Sequence, residues 1–456
     1  MKKLSVLLVA AIVVLALTMP AAAFENEFGG YWRTRAFTDI GFSGEDRVNS
    51  QDINAIDTRT RLFYTAKFSE NLKFINKFEL NAMWGKNKGY GQIGADNTDL
   101  NASNTFRVKN SYVDFKLAEQ RFTVGIQNFQ LARGYLFDDD ASGVKAIFKV
   151  NDAVYLPLIY MKLYEGGYGR ETGANSKSNS DFDVSAYVFY PTIYLNKDNT
   201  LKPHAAYLTT ENYSKATSKD INLSAISLPG ATKLDLWTLG LEYDGKIDIF
   251  EMGATGIFQF GDVTVPKALY GNHDKLNFKG YLFDIFGGVN LGPANIHAKG
   301  IYSSGNGKDD PSVSGDIKTF LTPGAKDNFG ASYYWAEIMG DGLIDNQTPN
   351  GAPGDKISNV IIGNLGASYK VLPTLKFSAD LWYAKTAEDV YLSSIKQYKG
   401  DLGTELDLVA SYTIVDNLKI DLIGAYLWAG DVITKNSSAT GSTNPIELAT
   451  MLSLAF

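Results

Sequence analysis

The chain has 456 residues, with 43 Lys and Arg against 50 Asp and Glu, a formal net charge of −7, 43 Gly, 26 Tyr, 26 Phe, 13 Pro and no cysteine. So modest a charge argues against a nucleic-acid binder, and the lack of cysteine rules out a disulfide framework, thiolate catalysis and lipid attachment through sulfur. Abundant Gly and aromatics with a mean hydropathy near zero fit an all-β chain whose strands meet lipid on one side and water on the other.

In chain order, Lys2 and Lys3 precede an apolar run from Leu4 to Leu17, then Pro20 and Ala21-Ala22-Ala23. This is the order of a secretory signal peptide, expected to span 1–23 and to be cleaved after Ala23. The run is short for a membrane helix, and no second apolar stretch of that kind follows. From Phe28 onward, alternating segments fall at 27–40, 56–69, 72–84, 105–118, 121–131, 143–150, 153–165, 181–195, 200–210, 233–245, 247–261, 278–290, 294–304, 359–370, 374–385, 402–415, 418–430 and 446–456. Short connections at 69–71, 119–120, 151–152, 196–199, 245–246, 291–293, 371–373 and 416–417 alternate with longer ones. These spacings predict a transmembrane antiparallel β-barrel of eighteen strands over 24–456, one domain, with short periplasmic turns and long extracellular loops. Pro157, Pro191 and Pro203 sit inside expected strands; a closed barrel has no edge for a residue lacking N–H, so each needs a bulge or a strand end, and sixteen is the alternative count. The last stretch alternates apolar and small or polar residues up to Phe456, as expected of a closing strand read by the barrel-assembly machinery.

Aromatics place the bilayer. Trp32 falls near the periplasmic start of the first strand, Trp84, Trp237 and Trp428 near extracellular ends, and Tyr383, Tyr412 and Tyr426 on outward parity, where interfacial girdles belong.

The nine arginines all occur by position 170: Arg33, Arg35, Arg47, Arg59, Arg61, Arg107, Arg121, Arg133 and Arg170. Phe28, Gly30, Trp32 and Thr34 take one parity of the first strand and Tyr31, Arg33 and Arg35 the other; Asp57, Arg59, Arg61, Phe63 and Lys67 share one parity of the second. Because an arginine facing lipid at midplane costs about 2–4 kcal/mol, these residues are expected inward, with Lys73 and Lys77 extending the wall. Arg107 joins it if a bulge between Val108 and Val113 restores parity. A guanidinium fork takes carboxylate or phosphate bidentately. The competing expectation is that the arginines pair with inward acids such as Asp57, Glu79, Asp421 and Glu447 and only stiffen the wall. Glu242, Asp244, Glu251, Asp284, Asp380, Glu405 and Asp407 also fall inward, setting up a transverse field across the lumen.

Residues 305–358 form a connection of unusual length with Phe320 and Tyr333-Tyr334-Trp335. A loop of that size in a compact fold is expected to be a lid or a constriction. His204 and His297 fall inward but in no Ser/His constellation, so a hydrolase lacks a nucleophile and base. No metal site or cofactor is expected.

The run Tyr31-Trp32-Arg33-Thr34-Arg35, then Asp57-Thr58-Arg59-Thr60-Arg61-Leu62, and Val124-Gly125-Ile126-Gln127 leading to Asp138-Asp139-Asp140 and Gly143-Val144 resemble the alginate-export family of outer-membrane porins over about the first 150 residues. The resemblance implies an eighteen-stranded monomeric barrel with an arginine-lined lumen for anionic polysaccharide or small solutes. Missing arginines in later strands depart from it. The expected function is an outer-membrane channel for small anionic or polar solutes, in contact with lipid and lipopolysaccharide, monomeric or else trimeric. A sheath around a periplasmic or extracellular partner is the alternative.

Overall fold

The computed structural model describes residues 24–43, 52–85, 106–165, 183–211, 228, 230–308, 311–322, 333–345, 347–354, 357–435 and 443–456. The signal-peptide segment 1–23, Arg47 and Arg170 lie outside the described residues.

Eighteen antiparallel strands close into one barrel. In order they are Glu25–Ile40, Ile53–Ser69, Leu72–Met83, Phe106–Leu117, Gln120–Leu131, Phe137–Lys149, Val154–Tyr164, a strand broken into Val184–Phe189 and Thr192–Asn196, Asn199–Thr210, Leu234–Ile247 and Phe250–Thr264, followed by a second broken strand, Lys275–Phe278 with Tyr281–Leu291. Ala294–Ser303, Val360–Leu372, Leu375–Leu392, Gln397–Val415, Leu418–Ala429 and Ile446–Ala455 complete the ring. Closure comes from the first strand, which pairs with the second along one edge and with the last along the other, Tyr31 opposite Ala455 through Ile40 opposite Ile446.

Parity follows the sequence. Leu239, Phe258, Ile285, Leu365, Leu408 and Leu448 are large, apolar and exposed, an outer band that only hydrocarbon covers at low cost. Trp84, Trp237 and Trp428 are exposed near strand ends on that outer face. The prolines resolve without loss of a strand. Pro191 falls in the break of the eighth strand, whose two pieces share the seventh and ninth as neighbours. The eighteen-strand count therefore holds over sixteen.

Three boundaries differ from expectation. The sixth strand begins at Phe137, not 143: the Asp138-Asp139-Asp140 run reads as loop, yet it pairs with Asn128 to Gln130, and the real connection is the tight segment 132–136. The turn expected at 245–246 falls instead at 248–249, where Asp248 takes the left-handed φ of 54° that the glycine suggested. The fifteenth and sixteenth strands run on to Leu392 and from Gln397, forming a long hairpin where a loop was expected.

At the seam Gly30 and Phe456 exchange backbone hydrogen bonds of 2.7 and 3.1 Å, and a Cβ on Gly30 would strike the Phe456 ring at 2.5 Å. Deleting Phe456 removes both bonds, worth about 1–3 kcal/mol together. The expected outcome is a several-fold drop in the compact, heat-modifiable form on unheated gels; an unchanged folded yield would show that closure does not depend on it.

Candidate functional site

Cross-strand register builds the basic wall. Arg33 stands opposite Arg59, Tyr31 opposite Arg61, and Arg35 opposite Asp57; in the next pair Arg61 faces Glu79, and Glu79 faces Arg107. The bulge expected in the fourth strand is present: Lys77 opposes Asn110 while Phe78 opposes Val108, so Lys109 is the extra residue and Arg107 points inward. Glu79, fully buried, is the hub. Arg61 Nε donates to its Oε2 at 2.6 Å and Arg107 Nε to its Oε1 at 2.8 Å, while Arg59 Nε stands 3.8 Å away and donates to Asn81 at 2.7 Å. Arg35 Nε donates to both oxygens of Asp57 at 2.9 and 3.1 Å.

Among the wall's own strands, five guanidinium groups therefore share the carboxylates of Asp57 and Glu79, with the Asp345 carboxyl of the long connection beside Arg33 and Arg59. Arg33 carries the surplus: it is 8% exposed, its Nε has no hydrogen-bond partner, and Arg35 and Arg59 add like charge beside it. Lys77 lies over the Phe63 ring at 5.0 Å and extends the wall. Lys67 sits at the short-turn rim, paired with Glu25 and Glu27 at 3.1 and 3.7 Å, so it marks the entrance of the wall, not its centre.

Two segments fold into the lumen. The first is 131–137, where Arg133 takes a left-handed φ of 56° and reaches across to the tenth, eleventh and twelfth strands. Its guanidinium pairs with Asp244 at 2.7 Å, donates to Thr255 Oγ1 at 2.7 Å and to the Tyr243 carbonyl at 2.8 Å, and packs on the Phe286 ring. Behind it the Ala132 N–H donates to Tyr190 Oη at 3.2 Å, and Tyr190 hydrogen-bonds Glu242.

The second is the long connection, which runs around the inner wall from the thirteenth strand to the first. Phe320 and Leu321 cover apolar inward positions, with Gln259 bonded both ways to the Leu321 backbone at 2.7 and 2.8 Å. Tyr333 packs on Tyr135 with centroids 4.2 Å apart and meets Lys299. Trp335 packs edge-on to Trp382 and donates to the Gly354 carbonyl. Next, Ile338 and Met339 N–H donate to Glu405 at 2.6 and 2.9 Å and Glu337 N–H to Asp407 at 3.2 Å. Beyond a turn closed over Gly342, where a Cβ would meet Glu337 Oε2 at 2.2 Å, Arg35 donates to the Asp345 carbonyl at 3.2 Å. The Asp345 carboxyl faces Arg33 and Arg59, and its pKa stays raised because burial outweighs them.

Of the residues expected at a constriction, Tyr333 and Trp335 lie on the docked face, and Tyr334 is 46% exposed. Of the seven acids expected inward, four are covered, whereas Asp244 and Asp380 keep 36% and 22% of their side chains exposed. Glu242, Asp284, Glu405 and Asp407 are buried beneath the infolded segments; Asp284 lies 3.6 Å from Lys299 and 3.8 Å from Arg133, and Glu251 accepts from Asn295 at 3.1 Å. Arg61 and Arg107 keep 28% and 35% of their side chains exposed. The infolded segments thus bury these four acids together with Arg33 and Arg35, while Arg61 and Arg107 stay partly exposed. Sequence reasoning missed Arg133 as a site residue, and its signal was weak: a lone Arg beside Gly134 in a short connection.

No protein-family profile matches the chain, and no curated protein sequence does. Solved structures share the fold. Pseudomonas aeruginosa OccK9 (OpdG) matches at a TM-score of 0.57 and 11% identity, covering 95% of this chain and 99% of that one. A BenF-like porin from Pseudomonas fluorescens Pf-5 matches at 0.54 and 10%, covering 95% and 99%. Pseudomonas aeruginosa OpdK with vanillate matches at 0.52 and 10%, covering 94% and 98%. These likenesses carry the architecture, an eighteen-stranded outer-membrane porin barrel, which is the part of the alginate-export resemblance they support.

Replacing Arg133 by Met removes an ion pair and two hydrogen bonds from 131–137, and hydrogen bonds to a charged group are each worth about 1.5–3 kcal/mol. Because 131–137 is tied to the long connection through Tyr135 and Tyr333, single-channel conductance should rise at least 1.5-fold while the barrel still assembles. Parental conductance would show that 131–137 holds its place without Arg133.

Proposed function

We propose that this chain is a passive outer-membrane channel for small anionic solutes, carboxylates foremost, which pass along the arginine wall. The observation that supports the reading is a difference in exposure: Glu242, Asp284, Glu405 and Asp407 are buried, while Arg61 and Arg107 keep 28% and 35% of their side chains exposed and Arg33 Nε has no hydrogen-bond partner among the described residues. A carboxylate moving along the wall exchanges one fork for the next, which keeps each bond weak enough to leave. Vanillate, named with the OpdK structure, is a carboxylate of this class.

The infolded connection favours small solutes over a polysaccharide chain, because it occupies the inner wall from the thirteenth strand to the first. It also weighs against a sheath around a protein partner. The porin likenesses weigh against a hydrolase, and His204 is buried beside Glu242 at 3.6 Å with no serine in its hydrogen bonds.

Planar-bilayer reversal potentials in asymmetric KCl test the reading. The parent barrel should be anion-selective, and Arg33→Gln, Arg35→Gln, Arg59→Gln and Arg61→Gln together should move the permeability ratio toward cations by about an order of magnitude. Benzoate should reduce chloride current in the parent and not in the quadruple variant. Unchanged selectivity in that variant would sink the proposal.

A further inference from the structure

We propose that Glu337 is a proton-operated latch: the long connection seats against the sixteenth strand while Glu337 is the neutral acid and is released when Glu337 ionises. The inference concerns how the passage is opened and does not depend on which solute crosses it.

The seat is made of acids. Glu337 is 7% exposed, and its Oε2 accepts a 2.7 Å hydrogen bond from the Leu343 N–H of its own turn. Facing it are Asp407 and Glu405 of the sixteenth strand, Asp380 of the fifteenth and Glu447 of the last, with Asp39 of the first strand behind Glu447. Asp380 is answered by His297 at 2.8 Å. Among the described residues no cation pairs with Glu337, Glu405, Asp407 or Glu447, and the fully buried Glu447 carboxyl meets that of Asp39. So many dry carboxyl groups cannot all be charged at once.

Either a metal ion or protons must relieve that repulsion. No group of three acids among the described residues is placed to hold a metal ion, which leaves protons. Glu405 and Asp407 are engaged as acceptors for three backbone N–H groups of 337–339. Glu337 is the member carried by the movable segment, so it is the one whose ionisation can be relieved by undocking. In keeping with this, burial first and the Asp407 charge second push the Glu337 carboxyl up to about 8.

The sign follows from linkage. Seated, Glu337 holds its proton more tightly than it does in water, where a carboxyl has a value of 4.5. Seating is therefore strongest in acid and weakens by up to tenfold per pH unit as pH rises toward about 8, above which this group adds no further change.

The test uses the whole barrel. Hydrogen exchange at the Ile338 and Met339 N–H groups, corrected for intrinsic rates, is followed from pH 5 to 8.5 in detergent, with single-channel conductance over the same range. The expected result is a loss of protection of tenfold or more together with a rise in mean conductance, and Glu337→Gln, which keeps the neutral shape, should flatten both. Constant protection and conductance in the parent would overturn the latch, as would a Gln variant with the parental pH dependence. Reseating by calcium at pH 8.5 would overturn the proton reading in favour of a cation. Should the Gln variant fail to assemble, the exchange profile of the parent decides alone.

Discussion

Hydrocarbon offers no partner to a backbone N–H or C=O, and this demand shapes everything else in the molecule. A chain crossing with strands must return its last strand to its first, because an open edge in lipid would leave a row of unpaired groups at several kcal/mol each. The pairing of Glu25–Ile40 with Ile446–Ala455 meets that demand, and it fixes which side of every strand is inside. With eighteen strands the enclosed space is too wide to be filled by wall side chains alone. What fills it is chain: 131–137 and the long connection enter and bury their own apolar residues against the upper inner wall.

That filling settles the electrostatics. Coulomb interactions among lumenal charges depend on whether water reaches them, and the infolded segments remove water from one arc and leave it on the other. Under the covered arc Glu405 and Asp407 accept from backbone N–H groups and Asp284 lies beside Lys299 and Arg133, while no cation among the described residues lies beside Glu337 or Glu447. The five arginines meet Asp57, Glu79 and the Asp345 carboxyl, and Arg61 and Arg107 keep part of their surface exposed.

Period-two alternation made most of the barrel legible in the sequence, because inward and outward environments differ sharply and a one-residue slip would put Arg33 or Arg61 into lipid. Signals failed where one pattern served two purposes. Asp138 to Asp140 look like a loop since strands rarely carry three acids in a row, yet they pair with Asn128 to Gln130, and Asp140 is answered by Lys109 and Asn110. Gly245 looks like a turn, but Asp248 can take the left-handed backbone as well. The infolded connection was legible only as length and aromatics. A sharper clue went unread: Leu236, Ile257, Leu282 and Ile362 are apolar at inward parity and buried, which makes no sense in a wet lumen and calls for something seated upon them.

One feature reaches beyond the pore. The hairpin of Leu375–Leu392 and Gln397–Val415 has strands of 18 and 19 residues, about 60 Å each at roughly 3.3 Å per residue, when some ten residues suffice to cross. Its tip, with the Tyr391 and Tyr398 rings 5.2 Å apart, stands on the long-loop side, far from Glu79 and from the seam at Phe456. A fluorophore or epitope grafted at the 393–396 turn would therefore report surface display on living cells.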